Sequence, residues 1–380
     1  MSTTSDRTYS VYASTYDAAM AAMTVHKLDR THGMKPFRSW ALLLFSLSTA
    51  ILSGVASAQS TTKPVGLITL TVNGTGGTQS NAYTLAGLGL TQRALFQGAS
   101  TSIGANLIVD TAAAWTDNQF NGVGNACCVE IISGANAGVI LDIASTVAST
   151  QTITTVQPIP AGTVAGDSFV VRRHWTIGSV FGQTNQSGLA GGSVTSADQI
   201  LLYNGSNPTN YYYQTVGLGG TGWRQAGAPT VDASGTVIYP DEGFFIERMQ
   251  SAPLNIVLMG SVKTGQTSTP IMPGQNFVGN IYAAPMTLAD CGLYTGSPAT
   301  GLADGSSTSA DQVLIWNPVL NGYDTYYYQT IGVGGTGWRK GGDRVDDASA
   351  TPIPVGGAVI VNRKGATGFN WVIPQHPSTL

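Results

Sequence analysis

Three segments of the sequence occur twice, in the same order: SADQILLYN at residues 196–204 and SADQVLIWN at 309–317, YYYQT at 211–215 and 326–330, and GGTGWR at 219–224 and 334–339. Each copy starts with a run rich in aliphatic and aromatic residues, breaks at Asn, Gly or Pro, and then resumes, which is typical of a β-hairpin. Two copies are too few for an open solenoid, which needs roughly three or more repeats. The duplication therefore predicts two similar β-hairpin units that pack as a pseudo-symmetric pair.

The composition around these repeats favours strands over helices. The chain contains 48 glycines, and Gly, Ser, Thr and Val are weaker helix formers than Ala, Leu, Glu or Lys. About six short strands with regular turn signals are predicted before residue 173, which is typical of a small barrel or sandwich. We therefore predict an all-β fold with four parts: an N-terminal β domain at 59–173, one repeat copy at 174–257, a connector at 258–285 and the second copy at 286–380.

The segment at residues 34–58 has the features of a secretory signal peptide. A positively charged start and an apolar stretch at 41–52 precede Ala56-Ser57-Ala58, whose small residues favour cleavage before Gln59. The apolar stretch is shorter than the roughly 20 residues that cross a bilayer, so a membrane anchor that is never removed is only the alternative. The mature protein is therefore expected to be secreted or in the cell envelope, without a membrane span.

Residues 1–33 precede this signal, whereas a signal peptide normally starts at the initiator methionine. We interpret them as a non-native upstream extension, with Met34 as the true start. The alternative is an unusually long n-region.

Several ligand classes are disfavoured by the sequence. The net charge is −3, and the basic stripe that nucleic acid requires is missing. Residues 217–222 and 332–337 match the G-x-G-x-x-G pattern of dinucleotide-binding loops, but no helix is predicted after them to receive a pyrophosphate. The sequence also has no CxxC spacing of the kind that structural zinc uses. We therefore predict no nucleic-acid partner, no metal and no cofactor, and we interpret both segments as glycine turns that let the following Trp pack closely.

The three cysteines allow two interpretations. Export implies an oxidising compartment, and neighbouring cysteines bond to each other only with strain. A disulfide between Cys291 and either Cys127 or Cys128 is therefore predicted. The alternative is that all three are buried free thiols, because free Cys is among the most buried residue types.

The repeated aromatic residues are the candidate ligand-binding site. Exposed Tyr and Trp rings can stack on sugar rings, and an adjacent Arg can stack on a neighbouring ring. Such rings can equally fill two small cores, because strand aromatics usually pack across the sheet. The candidate residues are Tyr212, Trp223 and Arg224 in the first copy and Tyr327, Trp338 and Arg339 in the second. The partners predicted for this site are an extracellular polysaccharide or like subunits, meaning other copies of the same chain.

Catalytic residues are not predicted. Adjacent acidic pairs occur at Asp241-Glu242 and Asp346-Asp347, and turn chemistry accounts for both without catalysis. No GxSxG, HExxH or P-loop motif accompanies them. A hydrolase would need a cleft that brings Asp198, Asp241 or Glu242 close to His174.

Longer strings of the sequence resemble a paralogous family of secreted proteins of about this length from Verrucomicrobia. They are KPVGLITLTV, AWTDNQF, DSFVVRRHWTIG, DQILLYN, YYYQTVGLGGTGWRQAG and VIYPDEGFFIERM, and the resemblance covers most of residues 63–373. It implies a cleaved signal and an exported product, and it supplies no activity and no catalytic residues. We therefore predict a non-enzymatic exported protein with a structural or surface-interaction role, and keep polysaccharide binding and hydrolysis as alternatives.

Overall fold

The computed structural model describes residues 64–374 except 78, 123 and 206. Strands and one short helix are the regular elements of this part of the chain, so the predicted all-β fold is confirmed. The predicted signal peptide at 34–58 and the upstream extension at 1–33 lie outside the described residues. Over the range that the structure does describe, no helix is long and apolar enough to cross a membrane.

Residues 94–173 form a seven-stranded antiparallel sheet. The first nine strands of the described residues are β1 (Val65–Val72), β2 (Ala82–Ala86), β3 (Ala94–Ala99), β4 (Ser102–Ile103), β5 (Leu107–Val109), β6 (Cys127–Ile131), β7 (Ile140–Val147), β8 (Thr152–Thr155) and β9 (Ser168–Arg173). The sheet order is β3-β9-β6-β7-β8-β5-β4. Trp115, Phe120 and Phe169 are buried in its core, where the ring of Trp115 lies edge-on to the rings of the other two.

The first repeat copy lies in a five-stranded sheet of order β13-β12-β11-β15-β2. Its part of the chain contains β10 (Trp175–Thr176), α1 (Ile177–Phe181), β11 (Gln199–Asn204), β12 (Asn207–Gln214), β13 (Gly222–Gln225), β14 (Val237–Ile238), β15 (Phe244–Arg248) and β16 (Leu254–Ser261). Helix α1 begins where Thr176 and Ser179 exchange capping hydrogen bonds, and it ends at Gly182, whose φ is 88°.

The second copy lies in a five-stranded sheet of order β18-β24-β20-β21-β22. Its elements are β17 (Thr267–Ile271), β18 (Gly274–Gly279), β19 (Met286–Thr287), β20 (Gln312–Asn317), β21 (Gly322–Gln329), β22 (Gly337–Lys340), β23 (Pro352–Ile353), β24 (Ala358–Arg363) and β25 (Phe369–Ile373). The repeated segments have the same pairing in both sheets, since Tyr213 is opposite Trp223 and Tyr328 is opposite Trp338. Packing of the two units as a pseudo-symmetric pair stays a prediction.

Strand pairing crosses two of the predicted domain boundaries. Strands β1 and β2 precede residue 173, but they pair with β16 and β15 of the first copy. Strands β17 and β18 come from the predicted connector at 258–285, and they pair with β25 and β24 of the second copy. We call the first copy together with β1 and β2 the first unit, and the second copy together with β17 and β18 the second unit. The chain therefore begins with strands of the first unit, forms the seven-stranded sheet, and then returns to the first unit.

A small hydrophobic cluster joins the two five-stranded sheets. It contains Leu85, Leu201 and Phe245 from the first sheet and Ala358 and Ile360 from the second. Burial of these side chains removes apolar surface from water and stabilises the contact by roughly 25 cal/mol for each Å² buried. The two sheets are therefore held together by an apolar face.

Each copy also contains one buried ion pair at corresponding positions. Asp198 precedes β11 and binds Arg248 at 2.6 Å, and Asp311 precedes β20 and binds Arg363 at 2.5 Å. Both aspartates also accept backbone hydrogen bonds, from Ala190 and Met249 in the first copy and from Ala303 and Lys364 in the second. The repeated Asp therefore fastens the start of one strand to the end of another.

The glycine turn of each copy is followed by a strand and not by a helix, as the sequence predicts. Gly219 has a φ of 89° and Gly220 a φ of 74°, in the left-handed region that favours glycine. The Gln214 amide donates to the carbonyls of Leu218 at 2.5 Å and Gly220 at 2.9 Å, and the Arg224 guanidinium donates to Gly219 at 2.7 Å. Two buried polar side chains therefore fix the turn from inside.

Alanine at Gly219 is expected to destabilise the protein more than alanine at Gly220, by about 1–3 kcal/mol. Both substitutions force a Cβ into the left-handed region, which costs about 1–2 kcal/mol in each case. At Gly219 the new Cβ would also meet the carbonyl oxygen of Pro229, whereas at Gly220 it has open space. Urea unfolding of the two variants measures the difference, and equal midpoints would contradict the close approach at Gly219.

Candidate functional site

The six residues predicted to bind a ligand are all buried. Tyr212 and Tyr327 are 3% and 1% exposed, and the two Trp and two Arg side chains are also buried. The Trp223 indole donates to the carbonyl of Gly182 at 2.7 Å, and the Tyr212 hydroxyl donates to Gln214 at 3.0 Å. These residues build the core and the glycine turns, so they offer no ring face on which a sugar could stack.

The three cysteines are free and buried, which corresponds to the alternative of buried thiols and not to the predicted disulfide. Cys127 lies in the core of the seven-stranded sheet, and Cys291 lies in the core of the second unit. Burial raises the pKa of Cys127 to about 11 and that of Cys291 to about 12. Thiols with such pKa values are unreactive at neutral pH.

A cleft of about 810 Å³ lies where the seven-stranded sheet, the first unit and the second unit meet. We call it the acidic cleft and define it by Asp142, Tyr203, Tyr239, Glu242 and Phe277, which all line it. The lining also includes Asp241, and it contains no lysine or arginine among the residues that the structure describes. The cleft therefore concentrates carboxyl groups and aromatic surface in one place.

The turn after β14 places Glu242 in the cleft. The backbone N–H of Glu242 donates to the carbonyl of Tyr239 at 3.1 Å, and its carboxylate Oε2 accepts from the N–H of Tyr239 at 3.0 Å. The turn is fastened to β18, because Gly243 donates to Phe277 and Gly279 donates to Asp241. Pro240 and Gly243 predicted this turn, and the contact with β18 holds its carboxyl groups in the cleft.

Asp142 reaches the cleft through the alternation of strand β7. Its neighbours Leu141 and Ile143 face the core, so the Asp142 side chain points to the opposite face. His174 Nε2 lies 2.9 Å from Asp142 Oδ1, and the Gln157 amide donates to Oδ2 at 2.9 Å. Burial acts to raise the pKa of Asp142, but the hydrogen bonds of His174 and Gln157 outweigh it and hold that pKa below its ordinary value.

The pKa values of the two carboxyl groups in the turn are shifted in the opposite direction to that of Asp142. Burial raises the pKa of Glu242 to about 7, opposed by the hydrogen bond from Tyr239 and assisted by the charge of Asp241. Burial also raises the pKa of Asp241, although the hydroxyl of Thr269 donates to it at 2.8 Å. At neutral pH the cleft therefore contains an ionised Asp142 and a Glu242 that is protonated about half of the time.

The raised pKa of Glu242 makes stability depend on pH. The folded state holds the proton more tightly than the unfolded state, so the stabilising contribution is complete below pH 4.5 and is lost as the pH rises through about 7. Relative to Glu242→Gln, the wild type should lose on the order of 2 kcal/mol across this interval. Urea unfolding of both proteins at pH 4.5, 6 and 8 measures the loss. A constant difference between them would contradict the shift.

Aromatic rings form one wall of the cleft. Tyr203 and Phe277 are stacked, with centroids 3.8 Å apart and planes inclined by 18°. Tyr239 is 43% exposed, and its ring packs edge-on against His174. Rings beside hydrogen-bonding side chains are typical of small-molecule and sugar sites.

The structure brings together some of the residues that a hydrolase would need. Asp241 and Glu242 line the cleft, and His174 contacts Asp142 and Tyr239 on its wall. Asp198 is elsewhere, in the buried ion pair with Arg248. Sequence reasoning missed Asp142, Tyr203 and Phe277. The only feature of the sequence that could have indicated Asp142 is a charged residue inside a predicted strand with alternating apolar and polar residues.

The described residues contain no group of His, Cys, Asp and Glu side chains that could hold a metal ion. The acidic cleft is thus a site made of carboxyl groups, amides and rings. Comparison of the chain with models of known protein families, with curated proteins and with solved structures finds no match.

Proposed function

We propose that this protein is an exported or cell-envelope protein that binds polysaccharide in the acidic cleft. The observation that carries the proposal is the stacked pair Tyr203 and Phe277 beside the polar side chains of the same open cleft. Aromatic faces bind the apolar faces of sugar rings, and amides and carboxylates bind their hydroxyl groups. The sequence resemblance to secreted verrucomicrobial proteins supports the exported or cell-envelope location in this proposal.

The charge of the cleft narrows the class of polysaccharide. Asp142 is ionised at neutral pH, and the described part of the lining has no Lys or Arg side chain. A polyuronate or a sulfated chain would meet repulsion there, since like charges across an interface disfavour binding. Neutral and amine-bearing polysaccharides are therefore the expected ligands.

The test is affinity electrophoresis and calorimetry of the mature chain with defined polysaccharides. The probes are xylan, β-1,3-glucan, mannan, soluble cellulose derivatives and chitosan, with alginate and heparin as the anionic comparison. Tyr203→Ala should weaken binding about 5- to 30-fold, equivalent to roughly 1–2 kcal/mol for one stacked ring. Gln275→Ala, at an exposed position of the lining, should weaken binding without altering the core.

A matched control is available in the second unit. Tyr294 stacks on Tyr328 with centroids 3.4 Å apart, but neither residue lines the cleft. Tyr294→Ala therefore removes a similar stacked ring and should leave binding unchanged. Failure of all five neutral or cationic probes to bind the wild type, or equal loss in Tyr203→Ala and Tyr294→Ala, would overturn the proposal.

A further inference from the structure

We propose that the acidic cleft also hydrolyses glycosidic bonds of the bound polysaccharide, with Glu242 protonating the leaving oxygen and Asp142 accepting a proton from the attacking water. This inference rests on the proposed binding function. It goes beyond that function, because binding alone needs neither a proton donor nor a proton acceptor.

Tyr239 links the two carboxyl groups. Its backbone N–H donates to Glu242 Oε2 at 3.0 Å, and its hydroxyl lies 3.4 Å from Asp142 Oδ2. Tyr239 therefore contacts both carboxyl groups. They come from different elements, the turn before β15 and strand β7, and both line the same cleft.

The surroundings give the two carboxyl groups different protonation states. Burial raises the pKa of Glu242 to about 7, whereas the hydrogen bonds of His174 and Gln157 keep the pKa of Asp142 low despite its burial. A pair of carboxyl groups whose pKa values are pushed apart is the arrangement that glycosidases use, with one acid and one base or nucleophile. The cleft provides both species at the same pH.

A second observation concerns His174, which contacts two of the lining residues, Asp142 and Tyr239. His174 is 5% exposed, its Nε2 contacts Asp142, and its Nδ1 is buried without a hydrogen-bond partner among the described residues. A buried polar atom without a partner is costly, by about 1–3 kcal/mol, and needs a reason. We assign His174 as a positioning residue that holds Asp142 in its ionised form.

The step is balanced with water as the only co-reactant. Glu242 gives its proton to the glycosidic oxygen, and the bond from that oxygen to the anomeric carbon breaks. The oxygen of water bonds to the anomeric carbon, and its proton goes to Asp142. Glu242 ends ionised and Asp142 ends protonated, and proton exchange with solvent restores both.

The dependence of the rate on pH follows from the groups that face Glu242. These are Asp241 in the same turn, Tyr239, and Tyr211 on β12, and no Lys or Arg lines the described part of the cleft. The carboxylate of Asp241 disfavours ionisation of Glu242. The rate should therefore fall as the pH rises above about 7, because the proton donor is lost.

The experiment measures binding and release of reducing ends on the same polysaccharides. Glu242→Gln should lower the rate of hydrolysis by about 100-fold or more, the usual contribution of a general acid, while binding persists. Asp346→Asn is the matched control, since Asp346 belongs to the other adjacent acidic pair and lies in an exposed loop outside the cleft. His174→Asn should move the acid limb of the pH profile to higher pH, which a purely structural role would not do.

An activated substrate separates catalysis from damage to the fold. A 2,4-dinitrophenyl glycoside of the bound sugar needs no proton on its leaving oxygen, so Glu242→Gln should regain most of the wild-type rate on it. Wild type that binds but releases no reducing ends would overturn the catalytic inference and leave the binding proposal intact. Absence of binding would overturn both. Equal rates of wild type and Glu242→Gln on the polysaccharide would also overturn the inference.

Discussion

Replacing Asp311 by alanine is expected to lower the free energy of unfolding by about 3–5 kcal/mol, the usual cost of removing one partner from a buried ion pair. Asp311 is fully buried, and its Oδ2 lies 2.5 Å from Arg363 Nη1. The same carboxylate accepts hydrogen bonds from the backbone N–H groups of Ala303 and Lys364 at 2.7 Å each. The substitution therefore leaves a buried guanidinium without its counter-charge and two backbone donors without their acceptor.

Urea unfolding followed by circular dichroism measures this effect. Lys340→Ala is the control, because Lys340 is 47% exposed in its ion pair with Asp324 at 2.8 Å, and an exposed pair contributes about 0–1 kcal/mol. Asp198→Ala in the first copy should resemble Asp311→Ala, since Asp198 makes the corresponding contacts. A loss below about 1 kcal/mol in Asp311→Ala would show that the buried pair is not needed to hold the sheet.

Trp223→Ala is expected to destabilise the protein by about 3–5 kcal/mol, as is typical of a fully buried Trp. Trp223 is 1% exposed and packs against Phe181 and Tyr213 in the core of the first unit. Alanine leaves a cavity there and removes the hydrogen bond to Gly182. Thermal and urea unfolding give the loss.

Two further variants separate the contributions at this position. Trp223→Phe keeps an aromatic ring but loses the indole N–H, so it should cost less than alanine. Leu218→Ala lies in the adjacent glycine turn, where Leu218 is 77% exposed, and should change stability by less than about 0.5 kcal/mol. Similar losses in Leu218→Ala and Trp223→Ala would contradict the assignment of Trp223 to the core.

Local features of the fold could be predicted from the sequence. The alternation within YYYQT and the glycines before Trp223 and Trp338 are sufficient to predict the hairpins and turns. Pairing of β1 with β16 was not predictable in this way, because Val65 and Ser261 are opposite each other but far apart in the chain. Alternation shows which face of a strand is buried, but it does not identify the partner strand.

The candidate site was only partly predictable for a related reason. The Asp241-Glu242 turn was recognised as a turn, but the raised pKa of Glu242 comes from burial that includes contact with β18. Asp142 lies about 100 residues before Glu242, and no spacing rule connects them. The repeated aromatic residues were predicted as a site because repetition is visible in a sequence. A sequence does not show that single residues from three parts of the chain converge on one cleft.

The seven-stranded sheet lies, in the sequence, between the early and the late strands of the first unit, and this affects the order of folding. Strands β1 and β2 pair with residues 244–261, so they lack these partners while the intervening segment is synthesised. Contacts between distant residues form slowly, because the entropy of closing the long loop is lost before the contact is gained. In the second unit, β17 and β18 pair with β25 and β24, which are closer to them in the chain than β16 and β15 are to β1 and β2, so its strands wait for a shorter time than those of the first unit.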